Sequence, residues 1–399
     1  MGKGQGYRGL RLASLALALV FLVSAVAGCG QKQEGGGQAS NTIKVGINFE
    51  LTGNAATYGS HCRDGILLAI EEINKSGGVL NKQLEPKVLD NASKQDESTN
   101  VATKLATEEK VKALLGPATT GCTLGAAPVA TENKIPLITT AATAPSVTVD
   151  DNGKVRDFVF RVCFIDPPQA IMGARFAYND LKVKKAAIYY DTGNDYSKGL
   201  YQNFKDEFTK LGGQIVAEEG FSSTDEDFRP TLTKFKQNGA ELIYIPAYYN
   251  QVGKIVSQAR ELKIDVPMLG ADGWDSPDLV KIAGAQALNH TYFTNHYSSA
   301  DPSSKVQEFI KAYKAKYGSE PDAFAALGYD AAYLLKAAIE KANSDDPVAI
   351  KDALAQIKDF EGVTGKLTFD DKHNPMKEIS IIELKDGKQS LVKKVMYTE

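Results

Sequence analysis

Short apolar runs alternate with amphipathic stretches along most of the chain, a pattern of strand, helix, strand without hairpins. Ile43 to Phe49 reads as a buried strand. Ser60 or Asp64 is placed to cap a helix whose Ile66, Ile70 and Ile73 recur on one face, stopping at Gly77-Gly78. Gln83 to Asp90 is the second strand, and Asp96 to Lys110 a helix through Val101 and Leu105. Next come the strand Ala113 to Leu115, a helix from Thr123 to Glu132, and the strands Ile135 to Ile138 and Phe158 to Phe164.

After Asp166-Pro167-Pro168 the same order restarts: a helix to Leu181, then the strand Ala186 to Tyr190 and a helix from Tyr196 to Leu211. The strand Gln214 to Glu219, a helix ending near Gly239, the strand Leu242 to Ala247, a helix from Asn250 to Leu262 and the strand Pro267 to Gly270 complete it. The strand Tyr292 to Tyr297 leads to two long helices, Ser303 to Tyr317 and Asp322 to Asn343. Gly365 to Phe369 and a hairpin, Glu378 to Val395, turned by Asp386-Gly387, close the chain. Two half-chains of like architecture predict an α/β protein of two doubly wound parallel-sheet lobes, completed by a C-terminal part that crosses back.

Gly116 to Pro145 holds two small, hydroxyl-rich turns, Ala118 to Gly121 and Thr139 to Thr143, one after each of two predicted strands. At the carboxyl ends of parallel strands such turns offer backbone N–H groups and hydroxyls to an anion.

At 399 residues, 43% hydrophobic and 24% charged, the chain has length for two cores. A formal net charge of -3 provides no basic face for nucleic acid. His61, His290, His296 and His373 lack metal-ligand spacing, and no nucleophile with a paired base or phosphate loop stands out, so neither an enzyme nor a metal or other cofactor is expected.

Lys3, Arg8 and Arg11 precede an apolar run, Leu12 to Ala27, that ends in Val26-Ala27-Gly28-Cys29: the layout of an export signal. The last four residues resemble the bacterial lipobox, whose cysteine is lipidated. Residues 1–28 are thus the expected signal peptide and 29–41 a flexible polar tether. Export permits disulfides. Cys62 and Cys122 both fall at the starts of helices on the same sheet edge, leaving a bridge between them and free thiols as the two readings. Cys163 reads as a small hydrophobe in a strand.

From about Thr42 onward the chain resembles the branched-chain amino-acid (Leu/Ile/Val) binding proteins of bacterial ABC transporters, within the type I periplasmic binding protein family. The likeness lies in LTGNAATYG (51–59), LAIEEIN (68–74), the Gly116 to Pro145 stretch with AATAPS, FRVCFIDPPQ (160–169), DYSKGL (195–200) and PMLGADGWDSPDL (267–279). It implies two lobes joined by three crossings near Val162, Tyr297 and Lys366: residues 42–162 plus 298–366, and 163–297 plus 367–399.

The resemblance also implies a ligand site. Thr120 and Thr143 would take a carboxylate, Ala141 (through its carbonyl) and Asp272 an ammonium. Tyr58, Tyr196 and Tyr248 or Tyr249 would wall the side chain, with Trp274 and Tyr329 at the rim or floor. Asp272 stands where better-known members carry glutamate, and Thr120 where serine is usual. The expected protein is a monomeric, lipid-anchored receptor outside the cytoplasmic membrane that closes on a free amino acid, branched-chain or otherwise aliphatic, and delivers it to a permease. The alternative is a sensor of the same fold for an amide, urea or related small polar molecule.

Overall fold

The computed structural model describes residues 41–397. The export segment, the tether and Cys29 lie outside them. The first run of elements is β1 (Thr42–Phe49), α1 (Ala56–Lys75), β2 (Gln83–Asp90), α2 (Gln95–Thr107), β3 (Ala113–Leu115), α3 (Thr120–Glu132), β4 (Leu137–Thr139) and β5 (Val159–Arg161). The second is α4 (Asp166–Arg175), β6 (Lys185–Asp191), α5 (Asp195–Lys210), β7 (Gln214–Phe221), α6 (Arg229–Gln237), β8 (Leu242–Tyr244), α7 (Tyr249–Glu261), β9 (Met268–Gly270), α8 (Pro277–Ala283) and β10 (Thr291–Asn295). The return part holds α9 (Ser304–Tyr317), α10 (Ala323–Ala342), α11 (Pro347–Ala355), β11 (Phe360–Gly362), β12 (Gly365–Leu367), β13 (Glu378–Lys385) and β14 (Lys388–Met396).

The first sheet runs β2-β1-β3-β4-β5, all parallel. The second runs β14-β13-β10-β9-β8-β6-β7. Its part from β7 to β10 repeats the first sheet's order in parallel, and β13 and β14 extend it antiparallel. Each lobe therefore has a switch point, between β1 and β3 and between β6 and β8, where doubly wound sheets leave a crevice for ligand.

Period-two alternation sorts the first core. Ala113, Leu115, Ile138 and Phe160 face α1 and α10, while Leu114, Leu137 and Val159 face α2 and α3. Helices α1 and α10 pack closely because Gly65 and Gly328 lie at their contact. A Cβ on Gly65 would stand 2.0 Å from the Ala325 carbonyl oxygen, and one on Gly328 2.1 Å from that of Cys62.

Helix starts differ from the sequence reading. Ser60 and Asp64 are not caps: α1 begins at Ala56 after Ala55, with no side-chain cap. Helix α3 begins at Thr120 rather than Thr123, because tertiary contacts hold a poor helix-forming Thr-Gly-Cys in its first turn.

The cysteine bridge does not form. Cys62, Cys122 and Cys163 are free and buried. Their helices share one sheet edge, but α1 and α3 cover opposite faces. The Cys62 thiol meets the Thr140 hydroxyl at 3.2 Å, while the Cys122 thiol meets Asn91 Oδ1 at 3.8 Å. Cys163 is buried just past β5, where burial pushes its thiol up to about 12.

Candidate functional site

At the first lobe's switch point β1 runs directly into Glu50, fully buried. Its carboxylate accepts the Ala118 amide at 3.1 Å, the Thr119 amide at 3.0 Å and the Thr119 hydroxyl at 2.6 Å. The protein's own anion thus occupies the front of the hydroxyl-rich turn and pins it. The amides of Thr120 and Gly121 follow, first in α3 and without intrahelical acceptors. The second turn is braced from behind by buried Arg161, which donates to the carbonyls of Ala142 at 2.6 Å and Ala144 at 2.9 Å.

From the other lobe, the loop after β9 brings Asp272, 2% exposed. Asp272 Oδ1 accepts the Tyr196 hydroxyl at 2.8 Å and Gln169 Nε2 at 3.1 Å, and Oδ2 lies 2.9 Å from His296 Nε2. Burial raises the Tyr196 hydroxyl well above its ordinary range, with Asp272 adding to it, so this phenol stays a donor. Tyr58 of α1 reaches across: its hydroxyl donates to the Gly273 carbonyl and accepts the Tyr249 amide at 3.1 Å. Its ring stacks on Phe324 at 4.2 Å and meets Tyr248 edge-on at 5.5 Å. Asn250 Nδ2 donates to the Asn54 carbonyl at 2.7 Å, a second link between lobes. The conformation is closed.

Between these groups lies a narrow pocket, lined by Tyr58, Ala118, Thr119, Thr120, Ala141, Tyr196, Tyr248, Asp272, Gly273 and Phe324. One end is a helix N-terminus with a hydroxyl, suited to an anion. The opposite lobe presents a carboxylate, suited to a cation, and aromatic rings wall the space between. Residues 42–389 match the family described as "Periplasmic binding protein".

The chain belongs to the periplasmic binding protein family. This family member is 30% identical over 89% of its length to the leucine-, isoleucine-, valine-, threonine- and alanine-binding protein of Pseudomonas aeruginosa, covering 92% of that protein. It superposes with a TM-score of 0.84 on the branched-chain amino-acid transporter substrate-binding protein LivJ of Streptococcus pneumoniae in complex with isoleucine, at 39% identity, covering 89% of this chain and 99% of that one. The leucine-binding protein LivK of Thermotoga maritima aligns with a TM-score of 0.83 and 35% identity, over 89% of this chain and 99% of that one.

Six of the expected ligand contacts of this periplasmic binding protein come together in the pocket: Tyr58, Thr120, Ala141, Tyr196, Tyr248 and Asp272. Four do not line it. Thr143 is fully buried beside Asp166; it weighs on that residue's titration, yet neither Thr143 Oγ1 nor Asp166 Oδ2 completes a well-formed hydrogen bond. Tyr249 sits behind Tyr58, its ring edge-on at 5.1 Å and its hydroxyl 3.2 Å from that of Thr57. Trp274 is wholly buried, its indole N–H on the Ile245 carbonyl at 2.9 Å and its ring where a Cβ on Gly270 would lie, so it is core rather than rim. Tyr329 on α10 packs against Phe309 at 4.9 Å and donates to Glu72 at 2.6 Å, away from the pocket.

Sequence reasoning missed Thr119, Phe324, Glu50, Gln169 and His296. Glu50 carried a legible signal: an acid closing an apolar strand next to a predicted ligand edge. Gln169 and His296 carried none, because β10 and α4 meet the Asp272 loop only in three dimensions.

Proposed function

We propose that this protein is the substrate-binding lipoprotein of an ABC transporter, closing its lobes over a free branched-chain or other aliphatic amino acid and delivering it to a membrane permease. The reading is carried by the opposition, across a closed pocket, of the α3 N-terminus and Asp272, a spacing of anion and cation sites that suits a zwitterion. Tyr58, Tyr248 and Phe324 offer an apolar side chain its wall, and the Ala141 carbonyl is a further acceptor for the ammonium. The binding proteins of P. aeruginosa, named for leucine, isoleucine, valine, threonine and alanine, and of S. pneumoniae, in complex with isoleucine, support the same reading.

Lipid attachment at Cys29 places the receptor outside the cytoplasmic membrane; among the described residues no helix is long and apolar enough to cross one. For the lobes we propose residues 42–162 plus 298–366 and 163–297 plus 367–399. Phe369 and His373 lie on Phe160, and Asn374 accepts the Thr148 hydroxyl, so the segment just after Lys366 still packs on the first lobe as the chain crosses over.

The test is a thermal-shift panel of L-amino acids, amides, urea and aromatic acids. A ligand at 100 times its dissociation constant adds about 2.7 kcal/mol of stability, and aliphatic L-amino acids are expected to give the largest shifts. A shift with amides or urea alone would transfer the protein to the sensor reading. Mass spectrometry of the mature N-terminus is expected to show acylated Cys29; an unmodified, uncleaved leader would remove the anchor.

A further inference from the structure

Asp272 is held by three donors, and none of them is a cation. Tyr196 and Gln169 are neutral side chains. Burial pushes the His296 imidazole below its ordinary range, and its ring lies stacked on Phe164 at 3.6 Å. An ionised carboxylate oxygen only accepts, so the His296 proton sits on Nε2, and Nδ1 is left without a partner. The buried cations nearby are engaged elsewhere. Arg161 donates to the carbonyls of Ala142 and Ala144, and Lys377 to the Val162 carbonyl at 3.1 Å and to Thr364.

The orientation of Gln169 is fixed as well. Its Oε1 accepts the Thr294 hydroxyl at 2.9 Å and the Asp272 amide at 3.4 Å, so Nε2 is turned toward Asp166 Oδ1 and Asp272 Oδ1, each at 3.1 Å. A carboxylate offers about four acceptor directions. Three are taken by side chains, and Asp272 lines the pocket with what remains. A buried charge held by neutral donors alone is incomplete until a cation reaches it.

We propose that Gln169 and His296 are positioning residues for substrate recognition: they fix Asp272 as an acceptor without a counter-cation and thereby commit the cleft to ligands that bring a primary ammonium. The inference rests on the amino-acid reading above and adds its selectivity. The 2-oxo acid with the same side chain has the carboxylate and the apolar part but no cation, and it would set a carbonyl oxygen against Asp272.

Calorimetry with L-isoleucine and its 2-oxo acid on the wild type, Gln169→Leu, His296→Phe and His296→Asn tests the proposal. The ratio of the two affinities is the readout, because general damage to the fold weakens both ligands together. Gln169→Leu and His296→Phe are expected to shrink the preference for the amino acid by at least about tenfold, whereas His296→Asn, which keeps an N–H donor, recovers most of it. Thr294→Val, which frees only the far side of the Gln169 amide, should move the ratio in the same direction by less, and it decides the matter if the larger changes prevent folding. An unchanged ratio in the variants would overturn the proposal. A wild type that binds no amino acid would sink the transport reading and, with it, the selectivity assigned to Gln169 and His296, a result distinct from an unchanged ratio in the variants.

Discussion

Two buried carboxylates share the Gln169 amide, and they are handled differently. Asp272 takes three hydrogen bonds, whereas Asp166 leaves Oδ2 without a partner and burial pushes its carboxyl up to about 7. Because the folded value exceeds the ordinary value of about 3.9, the folded state binds more protons than the unfolded one between roughly pH 4 and pH 7, and stability falls as pH rises through that window. Asp275, pushed up to about 6 chiefly by burial, acts in the same direction over the lower part of it. Asp166→Asn is expected to gain melting temperature relative to wild type progressively from pH 4 to pH 7 and to hold a constant advantage above. A difference that does not vary with pH would show that Asp166 does not titrate there. The sequence made Asp166 visible only as the residue before Pro167-Pro168 where the second half-chain begins; its environment comes from Gln169 one turn on in the same helix and from Thr143 and Gly199 on two other segments.

Among the elements, the strands were the most legible, since β2 and β3 have the bounds expected from their apolar runs and β1 begins one residue early. Helices α8 and α11 were passed over although both carry a start signal: Ser276 before Pro277 accepts the Asp278 amide at 3.1 Å, and Asp346 before Pro347 accepts the Val348 and Ala349 amides at 3.0 Å. Both are short, so their periodicity is weak beside their caps. The α1–α10 contact was not legible, because nothing in Gly65 or Gly328 announces that the two helices meet. Gly328→Ala would drive a methyl into the Cys62 carbonyl, and a loss of about 1–3 kcal/mol in urea unfolding is expected. Unfolding at the wild-type midpoint would mean that the helices separate at little cost.

For the whole molecule, closure is a set of bonds that cross the cleft. Tyr58 carries two of them, to the Gly273 carbonyl and from the Tyr249 amide, while Thr57 reaches Tyr249 and Asp278. Ligand that touches both lobes shifts the population toward this state, and each cross-cleft bond adds to that shift. Tyr58→Phe keeps the ring on Phe324 and removes the hydroxyl, so amino-acid affinity should fall about tenfold by calorimetry, close to 1.4 kcal/mol. The unliganded melting temperature should change little, because an open molecule does not make these bonds. Equal affinity in the variant would argue that Tyr58 only packs.

Local pattern alone determined the order of strands and helices, the repetition of that order in two half-chains, and the place of the hydroxyl-rich turns at strand ends, because periodicity, turn residues and small polar clusters act over a few neighbouring residues. Only the tertiary structure decided which of those groups meet. It put Cys62 and Cys122 on opposite faces of one sheet and turned Thr143 and Trp274 away from the pocket. It also set Glu50 on the amides of the first turn, and Gln169 and His296 behind Asp272. Sheet order and lobe closure bring these groups together from segments 24 to 103 residues apart, and no local pattern encodes contacts of that kind.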